Sequence, residues 1–383
     1  MCKMSNIMPY SRQLIEDDDI QAVLKVLKSD YLTQGPEIAA FEKELAEYTG
    51  ARYAVLFSSG TAALHGAYFA AGLKAGEEVI TTPNTFAATA NAALYLGGRP
   101  VFADIELKTG NINLDLIEEK ITTKTKILTV VDYSGYPVDM DRARDIAKKY
   151  GLVLVEDACH SLGAYYKSKK IGTLADMTIL SFHPVKSITT GEGGAVLTDN
   201  EEYYHKLLLF RQHGISKENF INEAHGTWYY EMQLLGYNYR MSDIQAALGR
   251  SQLKKLDRFI ARRREIISFY QEFFSDNEYF DFTVEEEGYF SSWHLFPIRL
   301  KEHLITKKRK IFEALRAQGL WVQVHYIPVY WLPFYQSLGY PKGICPNAEK
   351  FYESEISIPV YQAMTLEDAR KVASILLEVL QNV

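Results

Sequence analysis

Between residues 53 and 198 the chain alternates short apolar runs with stretches of helical periodicity. The runs at 53–57, 78–82, 101–105, 126–132, 152–156, 177–181 and 195–198 are too short for buried helices and rich in Val, Ile and Leu, so they read as strands. Between them, 61–71, 86–96, 114–121 and 140–150 carry helical spacing, and two further helices, 17–28 and 37–48, precede the array. Strand and helix in regular alternation are the sequence form of an α/β domain with a mostly parallel sheet.

The pattern then changes. Residues 215–239 are polar, aromatic and punctuated by glycine, which predicts a long loop. A helix opens at Ser242, where Ser242 and Gln245 form a capping box, and runs with breaks through 246–274. Its basic run Arg262–Arg263–Arg264 reads as a solvated face. Strand-like 293–300 and 321–326 flank a helix at 307–318, and a proline-bearing loop leads to a last helix capped by Thr365 and Asp368. These elements predict a large sheet domain over residues 1–250 and a small α+β domain over 251–383 that includes the connecting helix.

Composition narrows the class. The formal charge of −6, with no basic run interleaved with aromatics, argues against nucleic-acid binding. Three scattered cysteines without a CxxC pair give neither a metal site nor a disulfide framework. The first residues contain no apolar leader and no run is long enough to span a membrane, so a cytoplasmic protein is expected. The 26 tyrosines and 19 phenylalanines fit extensive packing or subunit contact without deciding between them.

In open parallel sheets, ligands gather at the carboxyl ends of strands. Several chemically distinctive residues fall there. Ser58-Ser59-Gly60-Thr61 follows a strand and opens an Ala-rich helix, either as a phosphate cradle or as ordinary N-capping. Asp157 ends the apolar run 152–157, where a carboxylate requires a partner such as a pyridinium nitrogen, a salt bridge or a helix cap. Lys186 lies 29 residues further on, between a strand and a glycine-rich turn. Desolvation there would favour the neutral, nucleophilic amine able to form a Schiff base; the bland alternative is a snorkelling surface lysine. Phe86 is either a ring stacked on a cofactor or core packing, His160 a contact to a ring hydroxyl or a turn cap, and Asn238 a phosphate contact or a turn support. Together a phosphate loop, a carboxylate, a stacking ring and a lysine point to pyridoxal 5′-phosphate on an aspartate-aminotransferase-like fold, fold type I.

The motifs 58–61, 156–163 (Glu-Asp-Ala-Cys-His-Ser-Leu-Gly), 181–194, 236–243 (Gly-Tyr-Asn-Tyr-Arg-Met-Ser-Asp) and 324–328 (Val-His-Tyr-Ile-Pro) resemble the DegT/StrS sugar-nucleotide aminotransferases, in the same order and over nearly the whole chain. The resemblance implies that Lys186 holds the cofactor and moves the proton, Asp157 pairs with the pyridine nitrogen, and Phe86 stacks on the ring. It gives the phosphate to Ser59, Gly60, Thr61 and Ser181, with Asn238 supplied by the partner of a homodimer that shares its active sites. His160 takes a position that is Gln in many members and is expected at the cofactor's 3′-oxygen; His325 and Tyr326 are expected at the substrate.

Residues 32–35, 80–83, 131–135, 187–190 and 323–326 further resemble the branch that uses L-glutamate to aminate C4 of UDP-2-acetamido-2,6-dideoxy-β-L-arabino-hex-4-ulose in pseudaminic acid biosynthesis. Ser187 departs from a proline found after the lysine in some of that branch. Rival readings are a different nucleotide-linked keto sugar, a sugar dehydratase and a non-catalytic regulator. The dehydratases resembling this family carry His in place of the lysine, so Lys186 argues against that class.

Overall fold

A computed structural model describes residues 7–383; the six residues before them, including Cys2 and the start of the segment read as leaderless, lie outside the described residues. The large sheet has seven strands: β1 (Tyr53–Phe57), β2 (Glu78–Thr81), β3 (Arg99–Phe102), β4 (Thr125–Val131), β5 (Val153–Asp157), β6 (Met177–Ser181) and β7 (Gly194–Thr198). Their order is β1-β7-β6-β5-β4-β2-β3. Strand β7 runs antiparallel to both of its neighbours and every other pair is parallel. Six strands fall on runs read from the sequence, whereas β3 starts two residues before the run at 101–105 and ends at Phe102.

The strands are apolar on both faces because both faces are covered. Leu56, Leu128, Leu154 and Leu180 enter one core together with Phe41 and Leu45 of helix α2 (Pro36–Thr49); α1 (Asp17–Leu27) precedes it. Their neighbours Val55, Ile127, Val155 and Ile179 enter the opposite core beneath α3 (Gly60–Ala70) and α4 (Ala88–Tyr95). The alternation is the two-residue period of a strand. Helices α5 (Met140–Tyr150), α6 (Glu201–Phe210) and α7 (Asp243–Leu253) complete the layers.

Helix α8 (Leu256–Phe273) ties the large sheet to a second core. Its Leu256, Phe259 and Ile260 pack in the first, whereas Ile266, Ile267 and Tyr270 pack in the second. That second core lies against a three-stranded antiparallel sheet, β8 (Phe280–Phe282), β9 (Phe296–Leu300) and β10 (Glu355–Ile358), with helices α9 (Lys308–Ala317) and α10 (Leu366–Gln381). The chain start joins it too, since Met8 and Pro9 pair in parallel with Leu320 and Trp321. No described helix is long and apolar enough to cross a membrane.

Four expectations are corrected. Residues 114–121 form two 3-10 turns instead of an α-helix, tightened where Asn113 accepts from the Asp115 N–H at 3.0 Å. Helix α4 starts at Ala88 and leaves Phe86 in the turn before it. The strand ends at Trp321, and of residues 322–326 only Gln323 pairs further, in an isolated bridge with Ser357. The basic run is no uniform solvated face: Arg263 is fully buried and donates to the carbonyls of Trp293, His294 and Val360 and to Gln362 Oε1. Successive helical residues turn by about 100°, so three consecutive arginines cannot share one face.

Candidate active site

The carboxyl ends of β1, β5 and β6 open into a cavity of about 730 Å³. Its lining includes Ser59, Gly60, Thr61, Phe86, Asp157, His160, Ser181 and Lys186 from the large domain, and His325 and Tyr326 from the small one. The structure thus brings together all but one of the residues singled out from the sequence.

Lys186 is set by the loop that leaves β6. Phe182 N donates to Gly193 O at 2.9 Å and Thr190 N to Phe182 O at 3.0 Å, closing the loop at its base. Ser187, Ile188, Thr189 and Thr190 are buried, so the segment after the lysine is anchored rather than free. Burial pushes the Lys186 amine below the usual lysine range, against the opposing pull of Cys159 and Asp157. A snorkelling surface lysine would show no such shift.

Asp157 is the last residue of β5, and the strand period sends it and Glu156 to opposite sides. Asp157 Oδ2 accepts from Thr89 Oγ1 at 2.6 Å, and Oδ1 accepts from the Cys159 N–H at 3.2 Å. Because Thr89 spends its only proton on Asp157, it must accept from Thr85 Oγ1, 2.8 Å away. The carboxylate is therefore oriented from behind. Glu156, sealed on the other side, accepts from Thr178 Oγ1 at 2.9 Å, and burial beside Asp132 raises its pKa.

At the end of β1, Ser59 takes the capping role: its Oγ accepts from Ala62 N at 3.1 Å. This leaves the N–H groups of Gly60 and Thr61 as helix-start donors, with no protein acceptor among the described residues. Ser181 stands beside them; a Cβ on Gly60 would lie 3.1 Å from Ser181 Cβ. A Cβ on Gly194 would meet the Ser59 and Gly60 backbone at 2.6 Å, so only glycine lets β7 pass so close beneath the loop.

The remaining walls are aromatic. Phe86 is 63% exposed, its ring 6.5 Å from that of Tyr326 between centroids. His160 is buried, its Nε2 3.2 Å from Tyr326 Oη, and burial with the nearby Lys186 and His325 holds its pKa well below the usual range. Among the described residues His160 Nδ1 has no protein partner. Residues not singled out from the sequence complete the site: Tyr10, whose ring lies 5.1 Å from that of His325, and Thr85 and Thr89 behind Asp157. Thr89 follows Phe86 by three residues, its N–H donating to the Phe86 carbonyl at 3.2 Å in the turn that opens α4.

Asn238 is the exception. It is exposed and pairs with Gln212 instead of lining this cavity. It belongs to a segment whose Ile221, Trp228 and Leu235 are each about three-quarters exposed.

The set fits pyridoxal phosphate: an amine without a protein partner, an oriented carboxylate, free helix-start N–H groups and an exposed ring surround one cavity. A model of the DegT/DnrJ/EryC1/StrS aminotransferase family matches residues 13–377. Over 381 residues the chain is 45% identical to the UDP-4-amino-4,6-dideoxy-N-acetyl-β-L-altrosamine transaminase of Campylobacter jejuni, covering 98% of each chain. Among solved structures, Helicobacter pylori PseC, an aminotransferase involved in the biosynthesis of pseudoaminic acid, superposes with a TM-score of 0.93 at 37% identity, over 98% of this chain and 100% of that one. The Streptococcus pneumoniae aminotransferase Spr1654 in its PLP form matches with a TM-score of 0.92 at 29% identity, over 98% and 99%.

Proposed function

The chain belongs to the DegT/DnrJ/EryC1/StrS aminotransferase family, a group of fold type I enzymes dependent on pyridoxal phosphate, and on that premise we propose that it aminates a UDP-linked 4-keto sugar. The amino donor is L-glutamate and the acceptor is C4 of UDP-2-acetamido-2,6-dideoxy-β-L-arabino-hex-4-ulose. What carries this reading is the convergence of Lys186 and Asp157 on one cavity, in a chain 45% identical over 98% of its length to an altrosamine transaminase.

When bound, pyridoxal phosphate supplies the electron sink that lets an amino group and a proton be exchanged at a substrate carbon. Lys186 would hold the cofactor and, as a neutral amine, would carry a proton between the substrate carbon and the cofactor. Asp157, fixed by Thr89 and the Cys159 N–H, keeps the ring nitrogen protonated. Gly60 and Thr61 N–H groups with Ser59 and Ser181 hold the phosphate, and Phe86 covers the ring. His160 would meet the cofactor's 3′-oxygen, and His325 and Tyr326, which line the same cavity, would receive the substrate.

A second copy of the chain completes the site. The exposed apolar side chains of 221–235 fit burial in a homodimer, which would bring the partner's Asn238 to the phosphate. The backbone already links that segment to the cradle, since Ser58 N donates to Tyr239 O at 2.7 Å.

The test is an absorbance titration of the holoenzyme with L-glutamate, followed by mass analysis of the product formed from each of several UDP-, GDP- and dTDP-linked keto sugars. Amination of the β-L-arabino 4-ketone in preference to its D-gluco isomer is expected. Turnover of another sugar with none of this one would overturn the assignment of the acceptor.

A further inference from the structure

Behind His325 lies a line of buried groups that the proposed chemistry does not use. Glu355 and Ser357 sit two apart on β10 and so point to one side of that strand. Both are fully buried. The paired backbones of Gln323 and Ser357 hold the 323–325 segment alongside, through Ser357 N to Gln323 O at 2.8 Å and the return bond at 3.2 Å. Glu355 Oε2 accepts from the His325 backbone N–H at 2.8 Å, and Ser357 Oγ lies 2.5 Å from Glu355 Oε1 and 2.9 Å from His325 Nδ1. Tyr133 Oη donates to the His325 carbonyl at 2.6 Å, pinning it from the large domain.

Proton counting gives this line a direction. Ser357 has one hydroxyl proton. With Glu355 ionised, that proton goes to the carboxylate, so His325 Nδ1 must donate to Ser357 and Nε2 carries a lone pair. With Glu355 protonated, its O–H donates to Ser357, Ser357 donates to Nδ1, and Nε2 carries the hydrogen. His325 lines the cavity, and its Nε2 has no protein partner among the described residues.

We propose that Glu355, Ser357 and His325 form a proton relay out of the cavity, in which the protonation of Glu355 decides whether His325 Nε2 accepts or donates a hydrogen bond toward the bound substrate. One proton enters at Nε2, the Nδ1 proton passes to Ser357 Oγ, and the Ser357 proton passes to Glu355 Oε1. Three bonds to hydrogen form and three break, the third in the acid or hydronium in the cavity that delivers the proton, and Glu355 loses its charge. Resting on the aminotransferase reading, the relay gives one histidine two faces: a donor for the carboxylate of an acidic amino donor, and an acceptor for a hydroxyl or amine of the sugar.

The surroundings set the balance near neutrality. Burial raises the Glu355 carboxyl to about 7, opposed by Ser357, by the cations Lys308 and Arg299 and by the His325 N–H; the Tyr133 hydroxyl also faces it. Burial and Lys186 lower His325 to about 3, so the ring itself stays neutral throughout. His160, Tyr10 and Tyr326 are its other titratable neighbours.

The measurement is the ¹⁵N spectrum of the histidine-labelled holoenzyme between pH 5.5 and 8.5, with the His325 signals identified by their loss in H325Q. The hydrogen is expected on Nδ1 at high pH and on Nε2 at low pH. In E355Q the amide donates to Ser357 and should fix the hydrogen on Nε2 at every pH. S357A should abolish the pH-dependent exchange, and it carries the test if E355Q does not fold. A wild-type tautomer that does not change with pH, an E355Q protein that keeps the hydrogen on Nδ1, or an unaltered exchange in S357A would each overturn the relay. These spectra need no substrate, so an intact relay without turnover of the keto sugar would reject the acceptor and leave the relay standing.

Discussion

The two walls of the cavity are built by different means. The large-domain wall is made of strand ends: Ser59 after β1, Asp157 at the end of β5, and Ser181 with Lys186 after β6. Sheet register places each of them, and loop closure or capping bonds refine the position. The small-domain wall, His325 and Tyr326, lies on irregular chain beyond Trp321, held by one backbone bridge at Gln323 and otherwise by side chains. Asn84 accepts from the Tyr326 N–H at 3.2 Å, and Tyr133 and Glu355 hold His325. One wall is fixed by periodicity and is the same for many chemistries; the other depends on single hydrogen bonds and is where a substrate preference can be written.

That comparison breaks first at Lys186. Lys186→Ala removes the buried amine that lines the cavity, and roughly 10⁴-fold loss in single-turnover product formation is expected. Its melting temperature should stay close to that of the parent. Asp157→Asn keeps the shape and removes the charge, and a loss on the order of a hundredfold in kcat is expected from the weakened electron sink. If either variant retained full turnover, strand register would not be what places the chemistry.

The small-domain wall should fail through stability. Arg263 donates to three backbone carbonyls around Trp293, His294 and Val360, and His294 packs 4.3 Å from His160 between ring centroids. Arg263→Met leaves those buried acceptors unsatisfied, at a cost of roughly 3 kcal/mol in the denaturant midpoint. A stability change within experimental scatter would mean that water replaces the guanidinium.

Sequence patterning was informative where the wall is periodic. All seven large-sheet strands overlap apolar runs, and the residues at their ends could be read as a group, because a strand's carboxyl end is a place that pattern alone locates. Arg263 escapes a pattern reading because adjacency in sequence is not adjacency on the helix surface. Tyr10 and Glu355 carried no local signal: what brings them to the site is the pairing of Met8 with Leu320 and of β9 with β10, contacts hundreds of residues or a domain fold away from any pattern. Asn238 is legible as a motif but sits outside the cavity of its own chain, paired with Gln212.

A smaller effect separates orientation from charge on the large-domain side. Thr89→Val deletes the hydroxyl that aims Asp157 and leaves the carboxylate in place. About a tenfold fall in kcat is expected, comparable to one net hydrogen bond, with little change in KM for glutamate. A rise in KM for glutamate with kcat unchanged would instead mark Thr89 as a ligand-contacting residue.

The smallest effect concerns the helix under the phosphate cradle. His65 on α3 is buried, 3.3 Å from Tyr239 Oη by way of Nδ1, and burial lowers its pKa to about 4. The unfolded chain, with its histidine near 6.5, binds a proton that the folded chain refuses, so this group's contribution to stability is present above pH 6.5 and is lost as pH falls toward 4. His65→Gln should therefore flatten the acid side of the stability curve by about one proton's worth of slope, measured as denaturant midpoints at pH 7.5, 6 and 5. Because the cradle's donors are backbone N–H groups rather than His65, phosphate affinity should be unchanged in the variant at pH 7.5. An altered affinity there would show that the large-domain wall, too, depends on side chains beneath it.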